Sequence, residues 1–276
     1  MNHAGPRGLI LVRTRRVDEH TRLFADQLRT ASGLDVRFLV DERRERRASN
    51  DPQIISLNPS NYRALGLFTP QDAAWRCGDY GIYMAWQAHP DCEFFWLIED
   101  DVRISGNVEE FFSRCSLSAA DLLAVNLIEA ERDHFWWAHT VAKDTQPYRC
   151  FFGAVRLSAE AVRRCYRKRV EHGKKLNRLA LWPNDESLVA TTVINSGLQA
   201  ADFNALGAEL YDLETFSIFG DPVAFVSGSG TPRLIHPVRF EARRDSTSHR
   251  KIDDSRLFPF RIRRAVIRRL NRHSGW

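Results

Sequence analysis

Residues 94–98, Phe-Phe-Trp-Leu-Ile, form an unbroken apolar run that stops at three adjacent carboxylates, Glu99, Asp100 and Asp101. A run this short and this apolar suits a strand buried on both faces, at the centre of a sheet covered by helices on each side. Strand-like and helix-like segments alternate ahead of it. GLILVRT (8–14) has the character of a buried strand, and VDEHTRLFADQLRTA (17–31) places Leu23, Phe24 and Leu28 at helical spacing before Gly33. LDVRFLVDE (34–42) and QIISLN (53–58) supply the second and third strands. Thr69-Pro70-Gln71-Asp72 offers an N-cap, a proline at the first helical position and an early acid, which predicts a helix over about 70–88.

This alternation predicts an α/β fold with a mainly parallel central sheet flanked by helices. Further on, helices are expected over 107–115, from Ala159 to Glu171, and from near Asn184 to Gly197. Strands are expected at 121–128, 150–158 and 233–238. With 276 residues, 43% of them hydrophobic, the chain can bury one large core or two small ones.

The net charge of +5, from 40 Lys and Arg against 35 Asp and Glu, is modest, so its distribution matters more than its size. Residues 256–276 carry seven arginines and no acid. Within them, RIRRAVIRRLNR sets Ile262, Val266, Ile267 and Leu270 beneath the arginines, as in a basic amphipathic helix. Such a helix suits peripheral contact with anionic lipid headgroups or packing on its own domain. Residues 241–255 are polar and predict a connecting segment, and the runs Arg43 to Arg47 and Arg163 to Arg169 suit solvated surfaces. No aromatic residues interleave with the arginines of RIRRAVIRRLNR in the manner of a nucleic-acid surface, so no nucleic-acid partner is expected.

Five cysteines, at 77, 92, 115, 150 and 165, show neither CxxC spacing nor a Cys/His cluster, which points to reduced thiols in a cytoplasmic protein without a zinc site. The apolar run Leu9 to Val12 is too short for a signal peptide or a membrane span.

Alternation along a strand puts Glu99 and Asp101 on one face and Asp100 on the other. Ligands of open α/β sheets bind beyond the carboxyl ends of strands, and paired oxygen donors there suit Mg²⁺ or Mn²⁺. Acids also cap turns or pair with arginines such as Arg103, so both readings stand at this point. Arg13 and Thr14 end the first strand and Asp41 the second, which places them on the same rim. Arg76, Asp79 and Tyr83 are spaced to share one helix face, open to a ligand or to an Arg76–Asp79 surface pair.

An apolar strand closing in EDDVRISGN resembles the DxD-type metal-binding motif of nucleotide-sugar-dependent glycosyltransferases with the GT-A fold. Three later elements are similar to that family's in order. Gly153 in FFGAVRLS resembles the glycine loop that lets backbone approach the donor sugar, although a strand glycine at a bulge has the same signature. Asp185 and Glu186 in WPNDESLVATTVINSGL resemble the acidic pair that begins the acceptor-side helix, one of which is the general base in inverting members. His236 in RLIHPV resembles the late histidine that completes the metal shell.

The resemblance implies a GT-A-like domain over 1–240, with a nucleotide-binding half to about 105 and an acceptor half from about 106, followed by the linker and tail. It also implies a Mn²⁺ or Mg²⁺ ion on Asp101 and His236, with Glu99, Asp100 or both assisting. Arg13, Thr14, Asp41, Arg76, Asp79, Asp100 and Gly153 would then contact a nucleoside-diphosphate sugar, the donor. Either Asp185 or Glu186 would be the base, Glu186 being favoured, with a glycan or glycolipid of the cell envelope as acceptor. Trp136, Trp137 and Trp182 offer faces on which an acceptor sugar stacks, or core packing. The competing classes are a sugar-phosphate nucleotidyltransferase, for which LVRTRRVDEH lacks the phosphate-gripping glycines, and a non-catalytic glycan- or nucleotide-binding domain.

Overall fold

Strand order explains why the run at 94–98 is apolar on both sides. The structure, a computed structural model, describes residues 7–42, 51–70, 72–131, 146–174, 182–217 and 230–238. Its strands are β1 (Gly8–Thr14), β2 (Asp35–Asp41), β3 (Ile54–Leu57), β4 (Phe94–Glu99), β5 (Arg103–Ser105), β6 (Leu122–Glu129), β7 (Tyr148–Ser158), β8 (Ala200–Asp202) and β9 (Arg233–Ile235). The helices are α1 (Glu19–Ser32), α2 (Pro59–Ala64), α3 (Ala73–Arg76), α4 (Asp79–Ala88), α5 (Val108–Ser116), α6 (Ala159–Gly173) and α7 (Asp185–Asn195).

A seven-stranded sheet runs β3-β2-β1-β4-β7-β6-β8, and β4 occupies its middle. All neighbours pair in parallel except around β7, which is antiparallel to both β4 and β6. The expected mainly parallel sheet flanked by helices is therefore the fold. On one face Leu9, Leu11, Phe95 and Leu97 pack with Tyr80 and Ile82 of α4, Val162 of α6 and Val189 of α7. On the other, Ile10, Val12, Trp96 and Ile98 pack with Phe24 and Leu28 of α1 and Phe111 of α5. Both sides of β4 are thus removed from water, which a continuous apolar strand requires.

The chain moves from β1 outward to β2 and β3, then crosses back to place β4 on the other side of β1. The carboxyl ends of β1 and β4 consequently flank a topological switch point, where open α/β sheets leave a crevice. A separate antiparallel ribbon, β5 with β9, follows directly from the end of β4.

Several local expectations are revised. Leu23 is exposed on α1, while Phe24 and Leu28 face the core. The helix predicted over 70–88 is two helices, α3 and α4, and α3 starts after Asp72, which makes no side-chain cap, rather than after Thr69. Arg169, placed in a solvated basic run, is wholly buried. Trp136, Trp137, the run 43–47, the linker 241–255 and the tail 256–276 lie outside the described residues. Among the described residues, no helix is long and apolar enough to cross a membrane.

Candidate functional site

Register builds the first part of the site. Arg13 lies opposite Glu99 across β1 and β4, and its Nη1 reaches Glu99 Oε1 at 3.0 Å. On the far side of β4, Ile98 pairs with Ala154, so Gly153 comes next to Glu99. A Cβ at Gly153 would sit 3.6 Å from Glu99 Oε2 and 3.5 Å from Val102, ordinary contact distances. The glycine lies where β7 steps from Val155 to Phe151 while β6 advances only from Ala124 to Val125, which is a bulge.

Of the three carboxylates, Asp100 turns away to its own partners, while Glu99 and Asp101 converge on one imidazole. β4 ends at Glu99, so Asp100 and Asp101 belong to the following turn rather than to the strand. Asp100 Oδ2 accepts from the buried Thr14 hydroxyl at 2.6 Å, and its backbone N–H donates to the Arg13 carbonyl at 2.9 Å. Thr14 and Asp100, both expected at a bound ligand, hold one another. Asp101 Oδ1 faces His236 Nε2 at 3.5 Å, and Glu99 Oε2 lies 4.0 Å from the same nitrogen.

His236 arrives from 135 positions away along the chain through the β5–β9 ribbon, in which Arg103 pairs with Ile235. The Val238 N–H donates to the Asp101 carbonyl at 2.8 Å and fastens the two segments. His236 Nδ1 sits 2.9 Å from the Ser217 carbonyl. A carbonyl only accepts, so Nδ1 carries the proton and Nε2 is the nitrogen turned to the two acids. The rings of Phe151 and Phe216 pack on the imidazole at centroid distances of 5.6 and 5.2 Å and fix its plane.

Glu99, Asp101 and His236 each offer a donor atom within 4.8 Å of the others. Two donors on one Mn²⁺ or Mg²⁺ ion, each at about 2.1 Å, lie at most about 4.2 Å apart, and the imidazole–carboxylate distances fall inside that limit. A histidine whose second nitrogen is held by a carbonyl is the usual arrangement of a metal-ligating imidazole. The donor set therefore fits a divalent cation. Burial, then the charge of Glu99, raises the pKa of Asp101, with His236 opposing. A cation at this corner would relieve that crowding.

The second part of the site is the start of α7. Asn184 caps the helix by accepting from the Ser187 N–H. Asp185 is buried, accepting from the Gly78 N–H at 2.7 Å and the Glu186 N–H at 2.9 Å. Gly78, at the break between α3 and α4, is needed there: a Cβ would come within 2.4 Å of Arg13 Nη1 and 2.6 Å of Asp185 Oδ2. Burial, then the charge of Asp79, pushes the Asp185 pKa up to about 6. Glu186 is less enclosed, and Asn184 Nδ2 donates to its Oε2 at 2.9 Å. Burial, then Asp185, pushes its pKa up to about 8.

Arg13 connects the two parts rather than standing on an open rim. It reaches Glu99, donates to the Ala74 carbonyl and lies beside Gly78, close to Asp185. Burial alone would lower its pKa, but Glu99, Asp185 and Asp41 carry it above its ordinary value. Asp41, half-buried at the end of β2, is the weakest of these acidic influences.

Arg76 and Asp79 do not form the expected ligand-facing pair. Asp79 is buried and bound by Arg169 through both oxygens, at 2.7 and 2.9 Å, and it accepts from Tyr83 at 2.6 Å. Arg76 pairs with Asp72 and donates to the Trp182 carbonyl at 2.7 Å. Trp182 is itself core, packed against Phe68 and His172, and offers no face to a sugar. Arg169 also donates to the Pro183 carbonyl at 2.7 Å, so this buried network sets the segment that delivers Asp185 and Glu186. Sequence gave no sign of it, because Arg169 sits in a basic run with no acid at pairing distance along α6.

No family model matches the sequence, and no curated relative matches it. Among solved structures the chain is similar to a glycosyltransferase involved in the glycosylation of the major capsid of PBCV-1, at 12% identity and a TM-score of 0.33, over 60% of this chain and 68% of that one. It is also similar to a chain assigned as a glucose-1-phosphate thymidylyltransferase from Bacillus anthracis, in complex with a sucrose. That match has 8% identity and a TM-score of 0.39, over 72% of this chain and 87% of that one. With TM-scores below 0.5, neither likeness bears on the chemistry.

Proposed function

We propose that the chain is a metal-dependent glycosyltransferase that moves a sugar from a nucleoside diphosphate to a hydroxyl acceptor. The observation that supports this most is the meeting of Glu99, Asp101 and His236 beyond the carboxyl end of β4, at the topological switch point, from segments remote in sequence. In this reading Asp101, His236 and Glu99 Oε2 hold Mn²⁺ or Mg²⁺, which when bound supplies Lewis-acid neutralisation of the leaving diphosphate. Arg13 holds Glu99 by its other oxygen and keeps Oε2 turned toward the imidazole. Glu186 takes the acceptor hydroxyl proton as the acceptor oxygen bonds to the anomeric carbon and the bond from that carbon to the diphosphate oxygen breaks. Attack from the side opposite the diphosphate inverts the anomeric centre. Asp185, held at both oxygens, is a positioning residue for that turn.

A panel of sugar nucleotides, assayed with Mn²⁺ for hydrolysis and transfer, tests the proposal. Turnover that is lost in excess chelator and in Asp101→Ala is expected. Pyrophosphate release from nucleoside triphosphates and a sugar phosphate, without sugar transfer, would replace it with nucleotidyl transfer.

A further inference from the structure

The turn that carries Asp101 is held at each of its backbone carbonyls. The Val102 N–H donates to the Glu99 carbonyl at 3.0 Å, which closes a four-residue turn with Asp100 and Asp101 in its centre. The Asp101 carbonyl accepts from the Val238 N–H. The carbonyls of Asp100 and Val102, one on either side of it, both accept from Nη1 of Arg103, at 3.0 and 2.6 Å.

Arg103 is buried, and its guanidinium lies over the ring of Phe24 in α1, 3.9 Å from the centroid. A buried guanidinium is costly unless its N–H groups find acceptors, and here backbone oxygens and an aromatic face surround it. The same residue reaches the other half of the corner. Arg103 opens β5, and its register partner in β9 is Ile235, the residue before His236. Its side chain therefore fixes the segment of one candidate ligand, and its backbone fixes the segment of another. An aspartate side chain is short, so the place of Asp101 Oδ1 follows the backbone of the turn closely.

We propose that Arg103 is the positioning residue that pre-forms the cation corner, so that Asp101 and His236 are set facing one another before an ion arrives. The proposal rests on the reading of Glu99, Asp101 and His236 as cation ligands. The charge of Arg103 opposes a cation nearby, because like charges repel. A role through charge and a role through placement thus predict opposite signs: removing the guanidinium tightens cation binding in the first case and weakens it in the second.

The test is Mn²⁺ titration of the full chain, read by calorimetry and by the EPR signal of the free ion, beside urea unfolding of each variant. Arg103→Met is expected to bind Mn²⁺ about tenfold or more weakly than wild type, as when the supporting partner of a metal ligand is lost. Arg103→Lys should fall between the two. Phe24→Leu, which keeps the arginine and removes the ring beneath it, should also weaken binding. Val162→Ala, in the core on the other face of the sheet, should lower the urea midpoint and leave Mn²⁺ affinity at the wild-type value. Unchanged or tighter binding in folded Arg103→Met would overturn the proposal. Should that variant fail to fold, wild-type affinity in both Arg103→Lys and Phe24→Leu would overturn it as well. Absence of Mn²⁺ binding in wild type is a different result, which removes the cation reading and the proposal with it.

Discussion

At the residue scale the decisive contrast is between Asp185 and Glu186, neighbours with different fates. Asp185 spends both oxygens on backbone N–H groups and is buried, whereas Glu186 keeps Oε1 without a hydrogen bond among the described residues. Sequence left either acid eligible as the base, and the geometry favours Glu186. Its pKa of about 8 means that the ionised, proton-accepting form grows as pH rises through 8. Transfer by wild type should therefore increase from pH 6 to 9 with an inflection near 8. Glu186→Gln should lower kcat by about 10² or more and remove that inflection. A variant with wild-type rates across this range would exclude the role. Arg13 marks the limit of the sequence reading: its place at a strand end was legible, but not that Glu99 and the α3–α4 break would enclose it.

At the level of elements, what sequence showed and what it hid divide by range. Strands β1 to β4 and helices α1, α6 and α7 follow from periodicity and capping, because those signals are local. The irregularity in β7 was open as one reading of Gly153, but the short strands β5 and β8 and the break at Cys77–Gly78 were not visible, since each depends on a partner distant in sequence. His236 is the intermediate case: its residue type was a clue, but only the β5–β9 pairing brings it to Asp101. The Arg169–Asp79 pair links α6 to the start of α4 in a wholly buried setting. Removing one partner, as in Asp79→Asn or Arg169→Met, should cost about 3–5 kcal/mol in urea unfolding, because a buried charge is left alone. The double variant Asp79→Leu/Arg169→Met should lose much less than the sum of the single changes. Additive losses would show that the pair is not coupled.

Across the whole molecule, the raised acids at α7 make stability depend on pH in a direction opposite to that of most carboxylates. Asp185, ordinarily 3.8, and Glu186, ordinarily 4.5, hold their protons to about 6 and 8 in the folded chain. Between those limits the folded state binds more protons than the unfolded one, so stability falls as pH rises from about 4 to 8. Asp51 and Asp212, whose pKa values are lowered, act with the opposite sign and remove stability as pH falls below about 4. Urea midpoints in chelator should thus peak between these ranges, and Glu186→Gln should flatten the alkaline decline. The same architecture, with Glu99 ending β4, Asp101 in the turn that follows and an imidazole delivered by β9, makes a cation the central claim. Calorimetric titration of the chelator-stripped chain with Mn²⁺ tests it most directly. One ion per chain is expected, bound at least tenfold more weakly by Asp101→Ala and by His236→Ala. No binding by wild type, or unchanged affinity in folded His236→Ala, would contradict the account.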